Sequence, residues 1–229
     1  MSTSRGFLAD GDLAYHRWGN KPGPAVVLLH SLGEDSGTWR RVAPELARRR
    51  SVHALDLRGH GASRHTPLYS LELMKTDVLG AIDELDLDDT CLVGHSLGGM
   101  VAYLAAAEQP ETIGRLVLEE SPPPVPAMPR RELAEEPNLA LSFDWAAVEA
   151  IYAERNAPDP GWWDNLASIS VPTLLIGGGA TSHVDQRQLE QMAEQIADCQ
   201  LLTIEAGHNV HANQPEAFVE AVEGFLADW

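Results

Sequence analysis

The chain has 229 residues, 44% of them hydrophobic, enough to bury one substantial core and a length that suits a single α/β domain over residues 1–229. Its 16 Lys and Arg against 34 Asp and Glu give a formal charge of −18, which repels phosphate backbones and anionic headgroups, so neither nucleic acid nor a membrane surface is an expected partner. No run approaches the ~20 apolar residues of a membrane span, and Met1-Ser2-Thr3-Ser4-Arg5-Gly6 lacks the apolar stretch of a signal peptide, so a cytoplasmic location is expected.

Short apolar runs alternate with segments of helical period, a pattern that implies crossover connections and a mostly parallel sheet covered by helices on both faces. In chain order, strands are expected at Ala25–Leu29 and Val52–Leu55. Leu71, Met74, Val78, Ile82 and Leu85 then recur at helical spacing. Thr90–Val93 follows as a strand running into a helix from Gly98, and Leu116–Leu118 is the next strand. The alternation lapses from Ser121 to Ser170, a stretch opening on Pro122-Pro123-Pro124 and carrying Pro126, Pro129 and Pro137. One helix is expected inside this insertion, Asp144 to Asn156, ended by Pro158. Strands at Thr173–Ile176 and Leu201–Ile204 and a helix through Phe218, Val219, Val222, Phe225 and Leu226 complete the chain. Cys91 and Cys199 lie in apolar, strand-like contexts and are read as buried thiols, too few for a disulfide framework or a zinc cage.

The chemistry centres on Gly94-His95-Ser96-Leu97-Gly98-Gly99. A Gly-x-Ser-x-Gly match alone is weak, but here the strand Cys91-Leu92-Val93 runs straight into Gly94 and an apolar helix follows Gly98. A serine on so sharp a turn holds a strained backbone, and glycines two residues before and after it let the flanking segments pass closely. The turn aims the amide of Leu97, at the helix start, toward a developing oxyanion. A serine hydroxyl needs a neutral imidazole within reach to act as nucleophile, and the chain offers nine histidines.

Three segments together resemble the α/β-hydrolase-fold family over nearly the whole chain. They are Leu28-Leu29-His30-Ser31-Leu32-Gly33, Asp56-Leu57-Arg58-Gly59-His60-Gly61-Ala62-Ser63, and Gly94 to Gly99. The resemblance implies an esterase-like enzyme with Ser96 as nucleophile, His208 as base and Leu32 supplying a second oxyanion amide. Ser31 stands where glycine is usual, and with His95 it is expected beside the substrate. His30 and His60 are read as structural, and His211 as a polar neighbour at the rim. His208-x-x-His211 suggests no third metal ligand, so neither metal nor cofactor is expected.

The acid departs from the family pattern. The stretch after Thr173–Ile176 is Gly177-Gly178-Gly179-Ala180-Thr181-Ser182-His183, with Ala180 at about the usual place of the carboxylate. Some family members carry the acid at the end of the strand after the nucleophile helix, which makes Glu120 the favoured residue. Asp185, Glu119 and a dyad without acid remain as alternatives, and strand alternation sends Glu119 and Glu120 to opposite sides. In this family the 121–170 insertion is a lid. Its aromatics Phe143, Trp145, Tyr152, Trp162 and Trp163 form either an apolar roof over the substrate or glue to the body, and Phe143, Trp145 and Trp163 are the roof candidates. The expected reaction is hydrolysis of small, largely apolar esters, thioesters or lactones by a monomer or small homo-oligomer. An acyltransferase, a perhydrolase and a slowly catalytic small-molecule receptor on the same fold are the rival readings.

Overall fold

The computed structural model describes residues 3–126 and 130–229; Pro129 of the insertion lies outside them. Eight strands form one sheet: β1 Thr3–Leu8, β2 Leu13–Trp18, β3 Ala25–Leu29, β4 Ser51–Leu55, β5 Thr90–His95, β6 Ile113–Glu119, β7 Thr173–Gly177 and β8 Cys199–Thr203. Their spatial order is β1-β2-β4-β3-β5-β6-β7-β8. The six expected strands are all present and run parallel to one another, each within a few residues of its predicted limits. The antiparallel pair β1 and β2 was not among them. Ala9, Asp10 and Gly11 turn that hairpin in the left-handed region, and β1 is mostly exposed, so it carries no apolar run.

β3, β4 and β5 are buried throughout, which is why they read as continuous apolar runs. The helices are α1 Ala43–Leu46, α2 Leu71–Glu84, α3 Leu97–Glu108, α4 Trp145–Asn156, α5 Gly161–Asp164, α6 Gln186–Gln195, α7 Val210–Asn213 and α8 Pro215–Phe225. On one face Leu71, Met74, Val78 and Ile82 of α2 pack with α3, Ile151 of α4 and Leu166. On the other, Trp39 and Leu46 pack with Phe218 and Val222 of α8. α3 is buried nearly all round, consistent with its all-apolar run from Met100 to Ala106. Asp144 caps α4 through a bond from the Ala146 amide, 3.1 Å, so this helix starts and ends where its sequence signals stood. Cys91 is buried, its thiol pushed up to about 12 by burial, whereas Cys199 begins the edge strand β8 and is only partly covered, which corrects its reading as fully buried.

Parallel pairing sets the carboxyl ends of β5 to β8 side by side, with His95 opposite Glu119, Glu119 opposite Ile176 and Gly177 opposite Thr203. The loops leaving those ends carry Ser96, Glu120, Ser182 and His208, the edge of an α/β sheet where ligands characteristically bind.

Candidate active site

Ser96 sits between β5 and α3 with φ 51° and ψ −108°, a left-handed conformation that a serine holds only when its surroundings impose it. The imposing contacts are main-chain ones. The Ser96 amide donates to the Glu119 carbonyl (2.9 Å), and the Gly98 amide donates to the His30 carbonyl (3.1 Å). A Cβ on Gly94 would collide with the backbone of Gly98 and Gly99, and one on Gly98 with the backbone of Leu29 and His30. Both glycines are therefore demanded by close chain passage. Among the hydrogen bonds of the described residues, none takes up the amides of Leu97 or Leu32. His30 braces the Leu32 loop, donating from Nδ1 to the Ser31 carbonyl (2.7 Å) and accepting the Leu57 amide at Nε2 (2.9 Å).

His208 follows β8 and donates from Nδ1 to Glu120 Oε2 at 3.3 Å. Glu120 is buried, itself at φ 53°, and also accepts the Gly178 amide (2.5 Å), Gln186 Nε2 (2.9 Å) and the Ser182 hydroxyl. Burial alone would raise this carboxyl; the hydrogen bonds from His208, Ser182, Gln186 and Gly178 outweigh it and hold the group below its ordinary range. The other two candidate acids are engaged elsewhere. Asp185 is exposed, caps α6 and pairs with Arg187 at 2.8 Å. Glu119, on the opposite side of its strand, accepts from His211 Nδ1 at 2.7 Å, both groups fully buried. Two adjacent glutamates thus meet two histidines three residues apart. Ala180 carries no acid, and its amide donates to Glu205 (3.1 Å).

A cavity of about 380 Å³ opens on these groups, with Ser96, Glu120 and His208 on its wall together with Tyr152, Arg131 and Arg155. Of the five insertion aromatics only Tyr152 lines it. Phe143 instead bridges to His60, stacks on its ring and rests against Gly33, with Trp145 beside it, and Trp163 packs on the core. These rings fasten the insertion to the body, which corrects their assignment as a roof. His95 is likewise no part of the wall. As the last residue of β5 it faces away from Ser96, donates from Nε2 to the His208 carbonyl (2.9 Å) and lies 3.7 Å from Glu34. Burial disfavours its charged form, yet Glu119 and Glu34 raise its pKa. Ser31 is buried in the loop after β3 and does not line the cavity. Glu34, His95 and His211 each bring one donor atom within 4.8 Å of the others. Both His211 nitrogens are already bonded, to Glu119 and to Thr38 Oγ1 (2.8 Å), so the cluster is a hydrogen-bonded brace beneath the site.

Sequence reasoning missed Ser182 and Gln186, which hold Glu120, and Arg131 and Arg155. The only signal for the arginines was the scarcity of basic residues in an acidic chain.

A mostly parallel eight-stranded sheet with a glycine-flanked serine on the turn after a central strand defines a hydrolase of the α/β class. A model described as the Alpha/beta hydrolase family matches residues 26–221, and the chain belongs to that family. It is 29% identical to the mouse sn-1-specific diacylglycerol lipase ABHD11, over 96% of this chain and 84% of that protein. It is 28% identical to 3-oxoadipate enol-lactonase 1 of Acinetobacter baylyi, over 91% and 90%. The crystal structure of a hydrolase from Pseudomonas aeruginosa superposes with a TM-score of 0.83 at 28% identity, covering 98% of both chains. Relatives named as esterases, lipases and lactonases support hydrolysis as the class of activity. Among the described residues no helix is long and apolar enough to cross a membrane.

Proposed function

We propose that the protein is a serine hydrolase that cleaves small esters, thioesters or lactones through an acyl-enzyme on Ser96, with His208 as base, Glu120 as acid and the amides of Leu97 and Leu32 as the oxyanion hole. The observation that carries this reading is the strained Ser96 elbow facing the same cavity as the His208–Glu120 pair. His208 Nε2 takes the Ser96 proton as Oγ bonds the acyl carbon, and the carbonyl electron pair moves onto oxygen beside the two free amides. Collapse of the intermediate expels the leaving group, which takes the proton from His208. Water then gives its proton to His208 and bonds the acyl carbon, and Ser96 departs with that proton. Glu120 keeps the Nδ1–H tautomer, so Nε2 stays free to accept. The absence of an acid at Ala180 is the one feature that favours the rival reading of a slowly catalytic receptor, and the His208–Glu120 pair removes its force. In the same reading residues 121–170 are a lid on the single domain. A fluorophosphonate probe tests the assignment: it labels the wild type and not Ser96→Ala, and folded wild type that resists labelling contradicts it.

A further inference from the structure

We propose that Arg131 and Arg155 form an anion subsite in the catalytic cavity, so that the substrate carries a carboxylate at the end away from its scissile bond. The inference rests on Ser96 being the nucleophile only for the orientation it gives the substrate. Both arginines come from the 121–170 insertion and share the wall of the about 380 Å³ cavity with Ser96 and His208. They are held together by a local device. Asn156, the neighbour of Arg155 at the end of α4, accepts the Arg131 amide at Oδ1 (2.8 Å) and donates from Nδ2 to the Arg131 carbonyl (3.0 Å). The Arg131 main chain is thereby fixed beside the helix that carries Arg155.

Among the described residues no carboxylate lies within ion-pair distance of the Arg131 or the Arg155 guanidinium, and residues 127–129, Ala-Met-Pro, include no acid. Arg155 is only partly exposed, and its Nε is buried without a partner. Burial first, and the charge of Arg131 second, bring the Arg155 guanidinium down to about 10, still cationic at neutral pH. In a chain where acids outnumber bases 34 to 16, two adjacent arginines left unpaired over a catalytic serine are an unfavourable arrangement that a bound anion relieves.

The other charges on the wall limit that anion to one negative charge. Glu120 is saturated by its four donors and Asp185 by Arg187, while Glu132 remains at the exposed rim and offsets part of the positive field. A monocarboxylate fits this balance better than a phosphate dianion. The cavity's size restricts the whole molecule to a small one, and half-esters of short dicarboxylic acids, or lactones bearing an acid side chain, are the class it defines.

The experiment compares monomethyl esters of succinic, glutaric and adipic acids with their dimethyl esters, by pH-stat turnover on wild type and by calorimetric binding to Ser96→Ala. Expected is a preference of about ten- to hundred-fold for at least one half-acid ester, in kcat/KM and in affinity. Arg155→Gln and Arg131→Gln each lower that ratio at least ten-fold, mainly through KM, and Arg155→Lys restores part of it. Because the ratio is taken within one variant, a general folding defect cancels. Equal use of charged and neutral esters overturns the subsite and leaves Ser96 untouched. Arginine-dependent binding of the half-esters without turnover upholds the subsite and overturns the nucleophile. A preference that survives both glutamine variants overturns the arginine assignment.

Discussion

Replacing Glu120 by Gln keeps the volume of the buried side chain and removes its charge. The amide oxygen can still accept the Gly178 amide now 2.5 Å away, but an amide NH2 then faces the His208 Nδ1–H at 3.3 Å, where Glu120 Oε2 accepts today. Two donors cannot share that contact, so His208 turns to the tautomer with its proton on Nε2, the nitrogen that must accept from Ser96. Loss of this orientation costs about 10²–10⁴ in kcat where an acid–histidine–serine relay operates. The charge-assisted bonds from Ser182 and Gln186 weaken as well, at about 1–3 kcal/mol of stability. Steady-state hydrolysis of p-nitrophenyl acetate beside urea unfolding reads both effects. Asp185→Asn, altering an exposed carboxylate held by Arg187, is expected within about two-fold of wild type. A folded Glu120→Gln enzyme within three-fold of wild type would refute the tautomer argument and move the acid elsewhere.

Glu119→Gln is expected to show the opposite balance, losing about 3 kcal/mol of stability by urea titration because it breaks a fully buried pair with His211, with a smaller fall in turnover than Glu120→Gln. Glu34 sets an acid limit on stability. Burial opposes its ionised form, but the neighbouring His95 holds the carboxyl down to about 2, so its contribution is present above the unfolded value of about 4.3 and is lost as pH falls from there toward 2. With 27% of the side chain exposed, this contribution is on the order of 1–2 kcal/mol. Melting temperatures between pH 5 and 2 should therefore fall less steeply for Glu34→Gln than for wild type.

The central strands β3, β4, β5 and β7 were legible because burial on both faces demands continuous apolar runs, and α4 because Asp144 and Pro158 bracket it. The hairpin of β1 and β2 was not, since an exposed strand such as Thr3–Leu8 carries little hydrophobic signal beyond its Asp10-Gly11 turn. Within the site, Ser96 was legible from the glycines that its tight turn requires. Glu120 could be favoured only through resemblance, because its pairing with His208 spans 88 positions and depends on which way two adjacent glutamates point. His95 was misread from its adjacency to Ser96: the last residue of a strand and the first of the turn face different surroundings. The pairing of Arg131 with Arg155 was not legible, because the Arg131 main chain is fixed by the side chain of Asn156 on α4, a contact that leaves no pattern in sequence.

Acid-quenched mixing of the enzyme with p-nitrophenyl butyrate, followed by mass analysis of the peptide that contains Ser96, addresses the covalent step itself. The account predicts a butyryl group on Ser96 within the first turnover, matched by released p-nitrophenolate, and neither event in Ser96→Ala. Release without an adduct on that peptide, or undiminished turnover by Ser96→Ala, would contradict it.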